Sequence, residues 1–223
     1  GQDYQSKKDE GATTTVTTTG GGNTNQSEEI DDLPPPEVEE GEKVDIYILL
    51  DYSGSMRLSV EQLKASFLAL TKEIFEIYGD NARVGLGTFS GVTSIIKEIP
   101  LSNEDDFRNS MKEALTQSSV GGKNINDWAV KYASGWMDNE GRNDSKKYLI
   151  LIGDGIAAGC YGATARAYKE AQERGINMFS ILVGDPNAIK FCFDFIMSGL
   201  AGTDWYYTPE LHQGELFGKV ISQ

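Results

Sequence analysis

The stretch Asp45-Ile-Tyr-Ile-Leu-Leu-Asp51-Tyr52-Ser53-Gly54-Ser55-Met56 (DIYILLDYSGSM) decides how the rest of the chain is read. A short, mostly apolar run from Val44 ends in a carboxylate, and two hydroxyls follow at alternate positions. Such a run is the signature of a strand buried on both faces of a sheet. Alternation past its end, or a turn of similar spacing, aims Asp51, Ser53 and Ser55 the same way. Gly54 is expected to let the backbone bend tightly there. The bland reading is turn chemistry that satisfies its own backbone. The sharp reading is a site for a hard cation, because carboxylate and hydroxyl oxygens suit Mg²⁺.

Downstream, strands alternate with helices. "SVEQLKASFLALTKEIFEIY" spaces Leu63, Phe67, Leu70, Ile74 and Ile77 by threes and fours, one face of a helix. "ARVGLGTFS" predicts a strand and "SIIKEIP" a neighbouring edge strand. "NEDDFRNSMKEALTQ" starts a helix with an Asn103 cap and an acidic first turn. "INDWAVKYASGWM" predicts another helix, with Trp128 and Trp136 in or near the core. "KKYLILIGD" predicts a second buried strand ending in an acid. "GATARAYKEAQERG" predicts a helix closed by Gly175. "INMFSILVGD" predicts a third buried strand, followed by a helix over "NAIKFCFDFIMSGLAG", a short strand at "DWYYTP" and a last helix over "LHQGELFGKVIS".

Repeated βα units imply an α/β fold: a doubly wound, mostly parallel sheet of six strands, with one antiparallel edge strand, flanked by helices. Such sheets bind ligands beyond the carboxyl ends of their strands, where the strand order reverses. If the strands ending in Asp51 and Asp154 are neighbours there, their carboxylates meet at one crevice.

Upstream of this pattern, residues 1–42 differ in kind. A Thr/Gly/Asn tract, "GATTTVTTTGGGNTNQ", gives way to the acidic "SEEIDDLPPPEVEEGE" with Pro34, Pro35 and Pro36. Neither part carries enough apolar surface to offset the entropy of ordering, so a disordered tether is expected, stiffer at the prolines. Residues 43–223 form the expected domain. The chain has 223 residues and a formal net charge of -14, which argues against a nucleic-acid backbone as partner. No apolar run approaches the roughly 20 residues of a membrane span, and no signal peptide is visible at the start, as would also hold for a mature form that had lost one.

These motifs together resemble the von Willebrand factor type A family, which includes the integrin I domains. The resemblance covers residues 44–222 and gives the expected Rossmann-like fold its family. The family's metal-ion-dependent adhesion site is D-x-S-x-S on a first loop, a threonine on a second and an aspartate on a third. Asp51, Ser53 and Ser55 match the first loop, and Asp154 in "ILIGDG" matches the third. The second loop departs from the pattern. Its turn is "GGKNIND", and the threonine position falls on Asn124, or on Lys123 if the register slips by one. An asparagine carbonyl is a respectable hard-cation ligand, whereas an ammonium opposes the metal.

The resemblance implies Mg²⁺, with Mn²⁺ or Ca²⁺ as alternatives. It implies that the serines bind the ion directly and the aspartates bind directly or through water. An Asp or Glu of a protein partner then fills the open position. The expected function is metal-dependent protein binding or adhesion by a monomeric domain, on a secreted or surface-tethered protein outside the cell. Lys123, Tyr52 and Tyr161 are candidates for the ligand rim, with turn packing as an equal account of the tyrosines.

Two other functions compete with adhesion. An assembly module would keep the fold without metal-dependent adhesion. A hydrolase would need a base near a serine, and the lone His212 lies at the start of the last predicted helix. Nucleophile-elbow, Walker and dinucleotide motifs are absent, so no enzymatic activity is expected. Cys160 and Cys192 fall near the carboxyl edge of adjacent predicted strands. They are either buried thiols or one disulfide, with the bridge slightly favoured. Such a bridge would close a loop of about 30 residues, worth about 3 kcal/mol in the chain-entropy model, and would fit an oxidising compartment.

Overall fold

The computed structural model describes residues 39–91, 94–116, 121–122, 126–154, 161–183 and 204–207. Strand β1 (Lys43–Asp51) is buried from Val44 onward. A 3-10 turn over Gly54–Leu58 leads into α1 (Val60–Tyr78). β2 (Ala82–Phe89), β3 (Ile95–Ser102), α2 (Glu104–Ala114) and α3 (Asn126–Glu140) follow. Then come β4 (Ser145–Gly153), α4 (Tyr161–Glu173), β5 (Ile176–Leu182) and β6 (Asp204–Tyr207).

One six-stranded sheet has the order β3-β2-β1-β4-β5-β6. β1 lies between β2 and β4, parallel to both, and β5 and β6 extend the parallel side. β3 alone is antiparallel and forms one edge. This is the expected doubly wound arrangement. The chain moves outward from β1 to β2 and β3, then returns to β1's other side at β4. The carboxyl ends of β1 and β4 are therefore the point where connections leave in opposite directions, the position at which sheets of this kind bind ligands.

Side-chain alternation along β1 sorts the core into two layers. Ile46, Ile48 and Leu50 pack with α1 and α2 through Leu63, Phe67, Leu70, Ile74 and Phe107. Tyr47 and Leu49 face the other way, against Ala129, Val130, Ala133 and Met137 of α3 and Ala167, Tyr168 and Ala171 of α4. The glycine spacing of "GLGTF" has a packing cause. A Cβ on Gly85 would stand 2.3 Å from the Tyr47 ring, and one on Gly87 would stand 2.7 Å from Leu49 and from Trp136. Tyr47 and Trp136 meet at 5.6 Å between centroids in the space these glycines leave. Trp136 thus packs as expected, but Trp128 does not: 45% of it is exposed, on the outer face of α3.

Asn103 caps α2 by accepting the backbone N–H of Asp106 at 3.0 Å. Gly175 ends the turn after α4 with φ of 76°, the left-handed conformation expected of it. At the amino end of the sheet, Asp45 is fully buried and ion-paired. Its oxygens accept from Arg83 Nε and Nη2 at 2.9 and 2.8 Å and from Ser145 Oγ at 2.7 Å. They also accept from the Arg142 backbone N–H at 2.6 Å and Nε at 3.1 Å. Burial pushes the Asp45 pKa up, but these hydrogen bonds and the Arg83 charge outweigh it and hold the carboxyl below its ordinary range. Glu140 ties the end of α3 to the same pole, accepting from Tyr47, Lys97 and the Leu101 backbone. This pole is a structural clamp, one strand length away from the carboxyl ends of β1 and β4.

Among the described residues, no helix is long and apolar enough to cross a membrane. The tract 1–38, the helices expected after β5 and after β6, His212, Cys160 and Cys192 lie outside the described residues.

Candidate functional site

Asp51 closes β1 beside Phe89 of β2. On its other flank, Leu50 pairs with Ile152, which brings the β4 end Gly153-Asp154 alongside. The side chains of Asp51, Ser53 and Asp154 are 0, 1 and 5% exposed. Two carboxylates are thus sunk at adjacent strand ends. Asp51 Oδ1 accepts the Ser53 backbone N–H at 2.8 Å, a local turn bond that fixes the carboxylate's orientation. Ser53 Oγ and Ser55 Oγ lie 3.1 Å apart. The expected alternation is therefore met: the two hydroxyls converge, and the exposed Ser55 stands at the mouth.

Backbone hydrogen bonds join the described part of the second loop to the first. Gly54 N–H donates to Gly122 O at 3.2 Å, and Gly121 N–H donates to Tyr52 O at 3.0 Å. Gly122 has φ of 80°, and a Cβ there would fall 1.7 Å from Ser90 O. Only glycine fits this position, because both its backbone conformation and its clearance exclude a side chain. Gly54, by contrast, has no left-handed φ. The 3-10 turn that starts at Gly54 therefore needs no left-handed backbone there, and the Gly54 N–H donates to the second loop. Asn124 and Lys123 follow this docked pair directly but lie outside the described residues.

Gly153 completes the pocket. A Cβ on it would come within 2.7 Å of Asp51 Cβ and 2.9 Å of Asp51 Oδ2. The glycine of "GDG" is thus what allows the Asp51 carboxylate its position. Sequence reading chose Asp51 and Asp154 but missed Gly122 and Gly153, although both precede picked-out positions in glycine-rich turns.

Tyr52 does not line the rim. It is 2% exposed and packs in the α1–α2 core layer, because strand alternation turns it away from Asp51 and Ser53. Its hydroxyl has no hydrogen-bond partner among the described residues. Burial, followed by the charges of Glu98 and Glu61, pushes its pKa up to about 12. Tyr161 begins α4, and its side chain lies outside the described part.

Carboxylate and hydroxyl oxygens are hard ligands, and a cation needs buried acids to balance its charge. Asp51, Ser53, Ser55 and Asp154 meet that requirement. Among the described residues no group of three or more His, Cys, Asp or Glu is arranged to hold a metal ion. A cation here would therefore rest on the mixed set of two carboxylates and two hydroxyls.

The family model for the von Willebrand factor type A domain matches residues 45–190. The chain belongs to the von Willebrand factor type A family. It is 28% identical over 152 residues to the collagen alpha-4(VI) chain of Mus musculus, covering 68% of this chain and 6% of that protein. It is 26% identical over 189 residues to matrilin-1 of Gallus gallus, covering 81% of this chain and 36% of that one. The chain therefore spans a small part of either relative. Its fold is also that of a manganese-loaded Plasmodium vivax TRAP protein, with a TM-score of 0.61 at 15% identity over 82% of this chain and 74% of that one. The Rossmann-like type A fold expected of the sequence is the fold observed.

Proposed function

We propose that this type A domain binds a protein partner through a divalent cation, Mg²⁺ or alternatively Mn²⁺ or Ca²⁺, and is not an enzyme. The observation that carries this reading is the convergence of buried Asp51, Ser53 and Asp154 with Ser55 where β1 and β4 part. Ser53 and Ser55 would hold the ion directly, and Asp51 and Asp154 would balance its charge directly or through water. Asn124, or Lys123 in the slipped register, takes the second-loop position. When bound, the cation supplies an electrophilic position for a carboxylate oxygen of an Asp or Glu on the partner. The protein's part is to hold the donors in place. The Ser53 backbone N–H orients Asp51, Gly153 leaves it room, and the Gly121-Gly122 backbone fixes the start of the second loop.

Similarity to a collagen chain and to matrilin-1 supports a protein-binding role in an extracellular setting. Titration calorimetry of Mg²⁺ and Mn²⁺ into the parent and into Asp51→Ala tests the reading. The parent is expected to bind and the variant to lose at least tenfold in affinity. Equal affinity in the two proteins overturns it.

A further inference from the structure

We propose that Asn143 is an acceptor for an N-linked glycan, attached before the domain closes, at the pole of the sheet opposite the candidate cation site. This rests on the extracellular reading above, because the glycan donor is met on the secretory route. The transfer requires Asn-x-Ser or Asn-x-Thr with x other than proline. The chain holds two such triplets, Asn25-Gln26-Ser27 and Asn143-Asp144-Ser145. The second lies among the described residues, inside the folded domain.

Its place suits a bulky, hydrated group. Asn143 and Asp144 are exposed, in the short connection between α3 and β4. Exposed connections of this kind accept additions without disturbing a core. The connection sits at the amino pole. Arg142, just before it, donates its backbone N–H to Asp45, and Ser145, just after it, pairs with Lys43 at the start of β1. β1 and β4 run parallel from this point, so Asn143 stands one strand length from Asp51 and Asp154. A glycan here leaves the candidate cation site uncovered and bars the opposite pole to protein partners.

Folding and glycan transfer compete for Ser145. In the folded domain Ser145 Oγ lies 2.7 Å from Asp45 Oδ2 and 3.0 Å from Arg142 O, and its backbone belongs to the β1–β4 ladder. The transferase must read that same hydroxyl on a chain it can bend, so the closed domain is not its substrate. The order of events resolves the conflict. Asp45 and Ser145 are 100 residues apart in the chain. Pairings of such separation form late, after the loop between them has been closed. Synthesis at roughly 5–20 residues per second delivers the triplet well after β1. The acceptor is therefore open until β4 joins β1. In the transfer, Asn143 Nδ2 bonds to C1 of a lipid-pyrophosphate-linked oligosaccharide. The C1–O bond to phosphate breaks, the lipid pyrophosphate leaves with the electron pair, and one amide proton passes to a base of the transferase.

The test expresses the full chain behind a secretory leader in cultured animal cells and collects cellular and secreted protein together. Peptides are mapped by mass after peptide N-glycosidase treatment in heavy-oxygen water, which marks each formerly glycosylated asparagine. The parent is expected to carry the mark at Asn143. Asn143→Gln and Ser145→Ala should lose it, and Ser145→Thr, which keeps the hydroxyl, should retain it. A second arm fixes the timing. A peptide spanning Gly141–Lys147 and the folded full chain made in bacteria are each offered to solubilised transferase with its lipid-linked donor. The peptide is expected to be modified at Asn143 and the folded chain to stay bare there. Equal transfer to the two overturns the competition for Ser145. A bare Asn143 in secreted parent overturns the site, whatever the state of Asn25, and leaves the extracellular reading standing. A glycosylated Asn143 on a parent that never leaves the cell supports the site and counts against the extracellular reading alone.

Discussion

Gly153 and Asp51 touch across the β1–β4 boundary so closely that a methyl group on the glycine would stand 2.7 Å from the aspartate Cβ. Neither atom belongs to a flexible tip, since both lie at the ends of paired, buried strands. Gly153→Ala must therefore push the Asp51 side chain aside. We expect Mg²⁺ affinity to fall at least tenfold, with a loss of stability of about 1–3 kcal/mol from overpacking. Calorimetry and urea denaturation measure the two effects. Unchanged metal affinity would show that the Asp51 position is not what binds.

The neighbouring glycines Gly121 and Gly122 form an internal control. Gly122 is left-handed and lies against Ser90 O, whereas a Cβ on Gly121 meets nothing within 4 Å. Gly122→Ala should lower stability by about 2 kcal/mol or more, through an unfavourable φ and a backbone clash. It should also weaken cation binding by undocking the second loop. Gly121→Ala should change the urea midpoint by less than the equivalent of about 0.5 kcal/mol. Similar midpoints for the two variants would refute the docking of the second loop onto the first.

Acid should weaken the clamp at the other pole. The folded pKa of Asp45 lies below its ordinary value. Its contribution is therefore complete above the unfolded carboxylate pKa and is lost as pH falls through the folded one. Asp45→Asn should lose about 2–3 kcal/mol at pH 7, a little under the usual cost of breaking a buried pair because Arg83 and Arg142 are partly exposed. The gap between parent and variant should narrow as pH falls below about 4, the ordinary carboxylate range. Urea midpoints at pH 7, 5 and 3 decide it, and a gap independent of pH would remove the charge from the explanation.

Tyr52→Phe removes a buried hydroxyl that has no partner among the described residues. An unpaired buried polar group is a net cost, so the variant should be equal to the parent or up to about 1 kcal/mol more stable. Metal affinity should not change, because the ring lies in the α1–α2 layer. A large destabilisation would reveal a hydrogen bond to this phenol.

By itself, the sequence determined the order of the described elements, the antiparallel edge strand and the carboxylate-and-hydroxyl loop after β1. These are local matters: hydrophobic period separates strand from helix, a cap residue starts α2, and D-x-S-x-S is written in five consecutive residues. The type A resemblance was legible because "DYSGS" and "ILIGDG" each follow a buried strand. What only the tertiary structure decided depends on residues far apart in the chain. Gly153 matters because register sets it against Asp51, and Gly122 because Ser90 O blocks any side chain there. Tyr52, expected at the rim, is instead in the core, and Trp128, expected in or near the core, stands half exposed. Both reversals have one origin. A single residue's neighbours say which way the chain runs, but which face of an element is covered depends on the layer packed against it.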